Sequence, residues 1–591
     1  MKLSACRWLL VLIALLPSAF AQEDVVMKAM GDELDRSVAK LSLPSLDKPY
    51  FIAYRVDDAN DVAISATLGA LTGSVSNRSR VLTLEVRVGS YALDNTNFLT
   101  ASSMQFGGGR LLSRQILPLD DDYDQIRRSI WLATDRAYKA AAEELARKRS
   151  VLEQRRSSAM LPDFTQQPAV TLRENPVPIS VNTADLEKLA RDLSAVFRDS
   201  PDILGSSAAI SVRNVFTRYV NSEKTSFTRA EPFVSVTVKA EGKFADGLPL
   251  QDSYETYARS PEALNAAELT RNARAMAARM KEARSAAILD RYTGPVLFEG
   301  EAACQVVADV FAPGLAAGRF PIFDQPQMES GMQQFFAQFG GVDLADRIGG
   351  RVVPDSIDVV DSPSLESFRG IPLLGSRRID DEGVPSREVK LVEGGILKTL
   401  LVTRDPTADF KASTGSRRGL GAMPSNLFFS ARKGIKEQEL RSQLLKLAKQ
   451  RGSEYGIVVR RLPIAGLHPL IRLVANMGMP GTGLSSGIDI VMLYQDGHEE
   501  RIRSVELPQV NIPAFKDIIA AGDTPTVYNG PFIPLLNSIF SGMGSSGLDP
   551  QSYQVVSYIA PSLLFEELTL KKISAPAPNA PVASSPVLAG K

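Results

Sequence analysis

Cysteine and histidine are nearly missing from this 591-residue chain, with two of each. The cysteines are Cys6 and Cys304, and Cys6 lies in the opening segment MKLSACRWLLVLIALLPSAFAQEDVV. Lys2 and Arg7 make a basic start there, Trp8 to Leu16 a short apolar stretch, and Ala19-Phe20-Ala21 a small-x-small cleavage signal. Residues 1–21 therefore read as a signal peptide, and the mature protein is expected to be exported, periplasmic or secreted. Cleavage leaves Cys304 alone, which excludes an intrachain disulfide. The histidines, His468 and His498, are too few for the usual hydrolytic zinc site, which takes three protein ligands and a water. Charge of one sign is also absent. With 67 basic and 67 acidic residues, nothing biases the chain towards nucleic acid or another polyanion. Long hydrophobic runs are missing too. The opening one is closed by Pro17 and falls short of the roughly 30 Å of hydrocarbon a span must cross, and no later stretch comes closer, so no membrane span is expected.

What is there has the composition of an ordinary globular protein, 44% hydrophobic and 23% charged, and is too long for one core. RVLTLEVRV places Leu82, Leu84, Val86 and Val88 on one side and Thr83, Glu85 and Arg87 on the other, the period of a half-buried strand. The period then changes: Ile126, Ile130, Ala133, Ala137, Ala141 and Leu145 predict a long amphipathic helix, with acids at its start where the dipole favours them. Asn182 is the expected N-cap of a second helix with the stripe Leu186, Leu189, Leu193, Val196. Asn221-Ser222-Glu223 reads as a hairpin turn between strands, and a third helix is expected over Pro261–Arg284. The predicted organisation is α+β, with an N-terminal α+β domain over 22–290 and a β-rich C-terminal domain over 291–571. That second domain has one clear helix, in KEQELRSQLLKLAKQRG, and GMQQFFAQFGG reads as either a mobile loop or a packed helix. Residues 572–591 form a Pro/Ala-rich tail expected to be disordered.

Chemistry has few places to sit. His498 follows the turn signal Asp496-Gly497 and is expected in solvent, whereas His468 precedes a proline in an apolar run and is expected to pack. A Ser-His-Asp triad would need one of these two histidines. Cys304 is flanked by apolar residues, the setting of a buried and inert thiol. Acids in DRYTG, EGEAA and RRIDDEGVP leave two-carboxylate chemistry open. GMPGTGLSSG is glycine-rich but lacks the strand-to-helix setting of a phosphate loop.

Several stretches together resemble the TldD/PmbA family of metallopeptidase-related proteins: GPVLFEGEAACQVVADVFAP, LADRIGGRVVPDSIDVVDSP, GIPLLGSRRIDDEGVPSREVKLVEGGILKTLLVTRDP, GLGAMPSNLFFS and YQDGHEERIRSVEL. The resemblance is strong over residues 290–570 and weaker before them, where VRVGSYALDNTNF and RYVNSE fit. It implies a two-domain TldD/PmbA-like architecture. In the metal-bearing branch of that family a helix presents H-E-x-x-x-H, a distant cysteine completes a zinc site, and the glutamate serves as general base. Set on GEAACQ, the motif puts Gly300 and Gln305 at the histidine positions and Glu301 at the glutamate, and YQVVSYIAPSLLFEEL supplies no cysteine. Glycine has no donor atom and an amide is a poor zinc ligand, so no metal ligand and no cofactor are expected. Glu301 stands at the family's catalytic position, with a helix-dipole acid as its plainer role. The resemblance thus implies the metal-free PmbA-like branch: a peptide-binding subunit partnered by a metal-bearing TldD-like sister, or by a second copy of itself. An active peptidase with an unrecognised site and a stand-alone envelope binding protein are the other readings.

Overall fold

Two long hairpins organise the first half of the chain. Strands β1 (Pro49–Thr67) and β2 (Ala70–Val88) form one, and β4 (Ile203–Asn221) and β5 (Ser226–Lys243) the other; the short β3 (Ser113–Ile116) and β6 (Pro249–Ala258) lie outside them. The computed structural model describes residues 24–44, 46–100, 113–155, 161–200, 203–244, 249–339, 344–419, 421–463, 489–503, 505–533 and 554–572. The signal segment, His468, GMPGTGLSSG and the tail beyond Lys572 lie outside the described residues. Within them, the sheet order is β3-β2-β1-β4-β5, with β6 and a short strand at Thr171–Leu172 both pairing β5.

Alternation decides which face of this sheet is covered. Ile52, Tyr54 and Val56 of β1 share a core with Leu82, Leu84 and Val86 of β2. Helices α1 (Val25–Lys40) and α2 (Tyr123–Arg155) supply the other side of that core through Ala29, Met30, Ile126, Ile130 and Leu145, which recur at helical spacing. Further along the same face, Ile64 and Ala66 meet α3 (Thr183–Ala195) and α4 (Ala266–Ala283) through Leu186, Ala190, Leu193, Ala273 and Met276. Asn182 caps α3 as expected, its side chain accepting from the Asp185 N–H. The helix predicted over Pro261–Arg284 starts later. Pro261–Ala263 makes a separate 3-10 turn, and Asn265, whose side chain accepts the Glu268 N–H at 3.1 Å, begins α4.

The C-terminal half is built from two sheets with a helix between them. One is centred on β7 (Arg291–Phe298) and the other on β8 (Ile357–Asp361), which pairs β9 (Val389–Glu393) and β10 (Asn426–Ala431). Around β7 run β11 (Tyr455–Arg461), β12 (Asp489–Tyr494) and β13 (Glu499–Ile502) on one side. The last strands, β14 (Thr526–Phe532), β15 (Gln554–Ala560) and β16 (Leu563–Lys572), complete both sheets: β15 lies between β10 and β14, and β16 beside β7. Helix α5 (Glu301–Val306) is wedged between them in the largest core, with Ala302, Ala303 and Val306 fully buried. The described part of GMQQFFAQFGG, residues 331–339, is helical, within α6 (Pro326–Phe339). The expected C-terminal helix is α7 (Glu437–Gln450), which lays Leu440, Leu444 and Ala448 on the outer face of the β7 sheet.

Candidate functional site

Helix α5 begins abruptly. Gly300 precedes it with φ +52° and ψ −114°, a backbone that residues with a Cβ rarely adopt, and its N–H donates to Ser562 Oγ at 3.1 Å. Glu301 is therefore the first helical residue, with its side chain 45% exposed and Arg461 Nε 3.9 Å from its carboxylate. One turn on, Gln305 is 3% exposed and has both ends of its amide engaged: Nε2 donates to Glu301 Oε1 at 3.1 Å, and Oε1 accepts the Leu462 N–H at 2.7 Å. Cys304 points the other way, towards the carbonyls of Thr526 (3.4 Å) and Ala560 (3.8 Å), and burial pushes its thiol up to about 12. It is the inert cysteine the sequence indicated.

After Val306 the helix widens into a π-helical turn, Val307–Phe311, which carries the buried Asp309. Glu301, Gln305 and Asp309, four residues apart along the helix, all act on Tyr528 of β14. Burial raises that phenol most, the charges of Asp309 and Glu301 raise it further, and a hydrogen bond with Gln305 opposes them. Tyr558 of β15 stacks on Tyr528 with ring centroids 6.1 Å apart. The N-terminal sheet closes the site through β6. Arg461 Nη2 donates to the Ser253 carbonyl at 2.5 Å and its guanidinium lies over Tyr254, while Tyr257 is raised by burial and by Glu255 beside it. The site thus lies where the two halves of the chain meet. Sequence reasoning missed Asp309 and the tyrosines, although a polar stripe at 301, 305 and 309 in an otherwise apolar helix was there to be read.

The donor set does not fit zinc at the H-E-x-x-x-H positions. Gly300 offers no atom, and the Gln305 carbonyl oxygen is already spent on a backbone N–H. His498 is exposed on the turn between β12 and β13, its ring 5.7 Å from that of Tyr494.

The acids of RRIDDEGVP are buried rather than gathered at a cleft. Asp380 Oδ1 accepts the N–H groups of Glu382 (2.9 Å) and Val384 (2.8 Å), folding the turn, and burial lifts it to about 6. Asp381, though buried, is held well below the carboxylate range by Arg55, Arg229 and Arg377. Gly383, at φ +78°, sits so close to the hairpin between β4 and β5 that a Cβ there would come within 2.6 Å of Thr225. The segment fastens the C-terminal half to the first sheet. Arg404, wholly buried, adds to that seam: it donates to the Thr165 carbonyl, pairs with Glu223 at 2.7 Å and lies 3.9 Å over the Phe164 ring.

Comparison with known proteins places this architecture. Residues 292–572 match the family model described as the PmbA/TldA metallopeptidase C-terminal domain. This domain belongs to the PmbA/TldD family. Two archaeal relatives named as metalloproteases align over short stretches: one from Methanocaldococcus jannaschii, 35% identical over 77 residues, and one from Archaeoglobus fulgidus, 30% identical over 82. These stretches span 13% and 14% of this chain and 16% and 18% of those relatives. Solved structures of the fold cover far more. A putative modulator of DNA gyrase from Thermotoga maritima superposes with a TM-score of 0.56 at 14% identity, covering 91% of this chain and 99% of its own. TldE from Thermococcus kodakarensis gives 0.53 at 12% identity, with 92% and 99% covered. The PmbA/TldD fold therefore extends across both halves of the chain.

Proposed function

We propose that this PmbA/TldD protein is an exported, zinc-less subunit that binds peptides and completes the peptide chamber of a metal-bearing sister. The observation that carries the reading is the state of the family's ligand positions. One is a glycine in a backbone that disfavours any side chain, and the other is an amide committed to Leu462 and Glu301. Hydrolysis needs one metal-activated water, whereas an enclosing chamber needs two walls. This chain keeps the walls: the polar edge of α5, the tyrosines of β14 and β15, and β6 of the first sheet facing them. The metalloprotease names of its relatives and the TldE fold support a place in peptidase-related chemistry.

The test is turnover of unstructured peptides by this protein, by a TldD-like sister carrying H-E-x-x-x-H, and by their mixture, each with and without chelator. This protein alone should be inactive and hold far less than one zinc per chain. The mixture should elute as a complex whose rate differs from that of the sister. Chelator-sensitive turnover by this protein alone, abolished by Glu301→Gln, would overturn the reading. A mixture that behaves as the sum of its parts, with no complex on sizing, would make it a stand-alone binding protein instead. N-terminal sequencing of the exported form should begin at Gln22, and recovery with Met1 retained would remove the export assignment.

A further inference from the structure

In the seam between the first sheet and the C-terminal half, several carboxyls share the same guanidinium groups. Two of them, Glu382 and Asp405, converge on a single guanidinium nitrogen, Arg417 Nη1, at 3.7 and 3.5 Å. Both distances are longer than a hydrogen bond. The other oxygen of Asp405 reaches Arg87 at 3.2 Å, but Arg87 is already paired with Glu85 at 2.5 Å and Asp94 at 3.1 Å. Arg404 pairs with Glu223; Glu382 takes its backbone N–H, at 2.8 Å, and feels its guanidinium charge less than that of Arg417. Within its own turn Asp380 adds a further like charge. From the β4–β5 hairpin, Tyr219 donates to its backbone carbonyl at 3.5 Å. Glu382 is thus a buried acid with like charges around it and no cation of its own, a setting in which a carboxyl keeps its proton.

We infer that Glu382 is the proton-held latch of this seam: protonated, it lets the 380–385 turn seat on the β4–β5 hairpin, and losing the proton in mild alkali loosens the two halves. Burial first, then the charges of Asp405 and Asp380, push this carboxyl up to about 8, against the partial pull of Arg417 and the smaller one of Arg404. A carboxyl raised in the folded state contributes stability that is complete below its unfolded value, here 4.5, and disappears as pH rises through the folded one. Asp380 and Asp361, lifted by burial to about 6 and about 7, release their protons earlier, so the alkaline end of the window belongs to Glu382. Loosening means separation of Gly383 from Thr225 and of Arg404 from Glu223, the contacts that join the turn and its neighbours to the first sheet.

The experiment is hydrogen exchange of the intact protein at pH 6.5 and pH 9, read on the peptides covering 219–227 and 378–386 and corrected for the intrinsic pH effect, beside urea midpoints at both pH values. Wild type should lose protection in both peptides by at least about tenfold at pH 9, while Glu382→Gln, neutral and of the same shape, should stay flat. Asp405→Asn removes the competing charge and frees Arg417, so it should move the wild-type transition to lower pH. Equal pH dependence in wild type and Glu382→Gln would overturn the inference. So would protection of both peptides that does not change with pH in the wild type. Should Glu382→Gln fail to fold, Asp405→Asn decides: an unmoved transition means that Glu382 is not the titrating group.

Discussion

Replacing Gly300 by alanine isolates the backbone contribution at the first ligand position of the family motif. At φ +52° and ψ −114° the residue sits where a Cβ is disfavoured by its own chain, and the nearest heavy atom to an added Cβ is Thr526 Oγ1, at 3.7 Å. That separation is ordinary contact, so steric crowding by neighbours contributes nothing. The whole cost is conformational, about 1–3 kcal/mol for a residue held in a sparsely populated region. Urea denaturation should show the unfolding free energy falling by that amount, as a lower midpoint at unchanged slope. A histidine at the same position carries the same penalty. Where the free protein relaxes at position 300 and metal binding must restore this backbone, the penalty falls on binding, and Gly300→His combined with Gln305→His should bind zinc roughly 5- to 150-fold more weakly than an unstrained pair, since each 1.4 kcal/mol is a factor of ten. Competition with a colorimetric chelator measures this. The reasoning is refuted if Gly300→Ala stays within about 0.5 kcal/mol of wild type and the two-histidine variant retains stoichiometric zinc against the chelator. Backbone geometry would then not be what keeps the metal out.

Three further outcomes follow from contacts described above. Gln305→Ala leaves the buried Leu462 N–H without its 2.7 Å partner and should cost about 1–3 kcal/mol in equilibrium unfolding; a change under about 0.5 kcal/mol would mean water replaces the amide. Cys304, raised to about 12 by burial, should resist alkylation in the native protein at pH 8 and react fully in urea, as mass spectrometry of its peptide will report. Glu231 is half-buried, and Arg229 and Arg377 draw it down to about 2, so its contribution to stability is present above its unfolded value of 4.5 and lost as pH falls towards 2. Arg377→Met should bring the acid transition, followed by circular dichroism, to higher pH; no movement would show that Arg229 alone holds the carboxylate.

The long elements were legible because burial imposes a period on them. Leu82 to Val88 alternate on β2, and Ile126 to Leu145 recur on α2, since one face of each rests on the same core. Caps were legible where a side chain does the capping, as Asn182 does, and misplaced where the chain breaks twice, as it does between Pro261 and Asn265. Glu301, Gly300 and Gln305 were located by motif spacing alone. What spacing could not supply is what those residues meet. Tyr528 and Tyr558 come from strands more than two hundred positions later in the chain, and β6 from the other half. The seam was hidden for the opposite reason. Asp381 looks like part of a solvated turn, and only the convergence of Arg55, Arg229 and Arg377 from distant parts of the chain makes it the centre of an ion-pair cluster. Local patterns report which side of an element is buried. They do not report a charge neutralised from a distance.

The order in which the C-terminal strands pair also sets when this half can exist at all. Arg291, at the start of β7, is opposite Lys571, near the end of β16, and β10 waits for β15 to lie parallel beside it. On a chain made from its N-terminus, β7 and α5 emerge early, but both sheets that clasp the helix stay open until residues 554–572 arrive. Nearly all of this closure is non-local, which makes for slow folding. During that interval the apolar face of α5 and two unsealed sheet edges are exposed to other chains, the condition under which intermediates aggregate. The helix that carries Glu301 is thus among the first parts of its domain to be synthesised and the last to be enclosed.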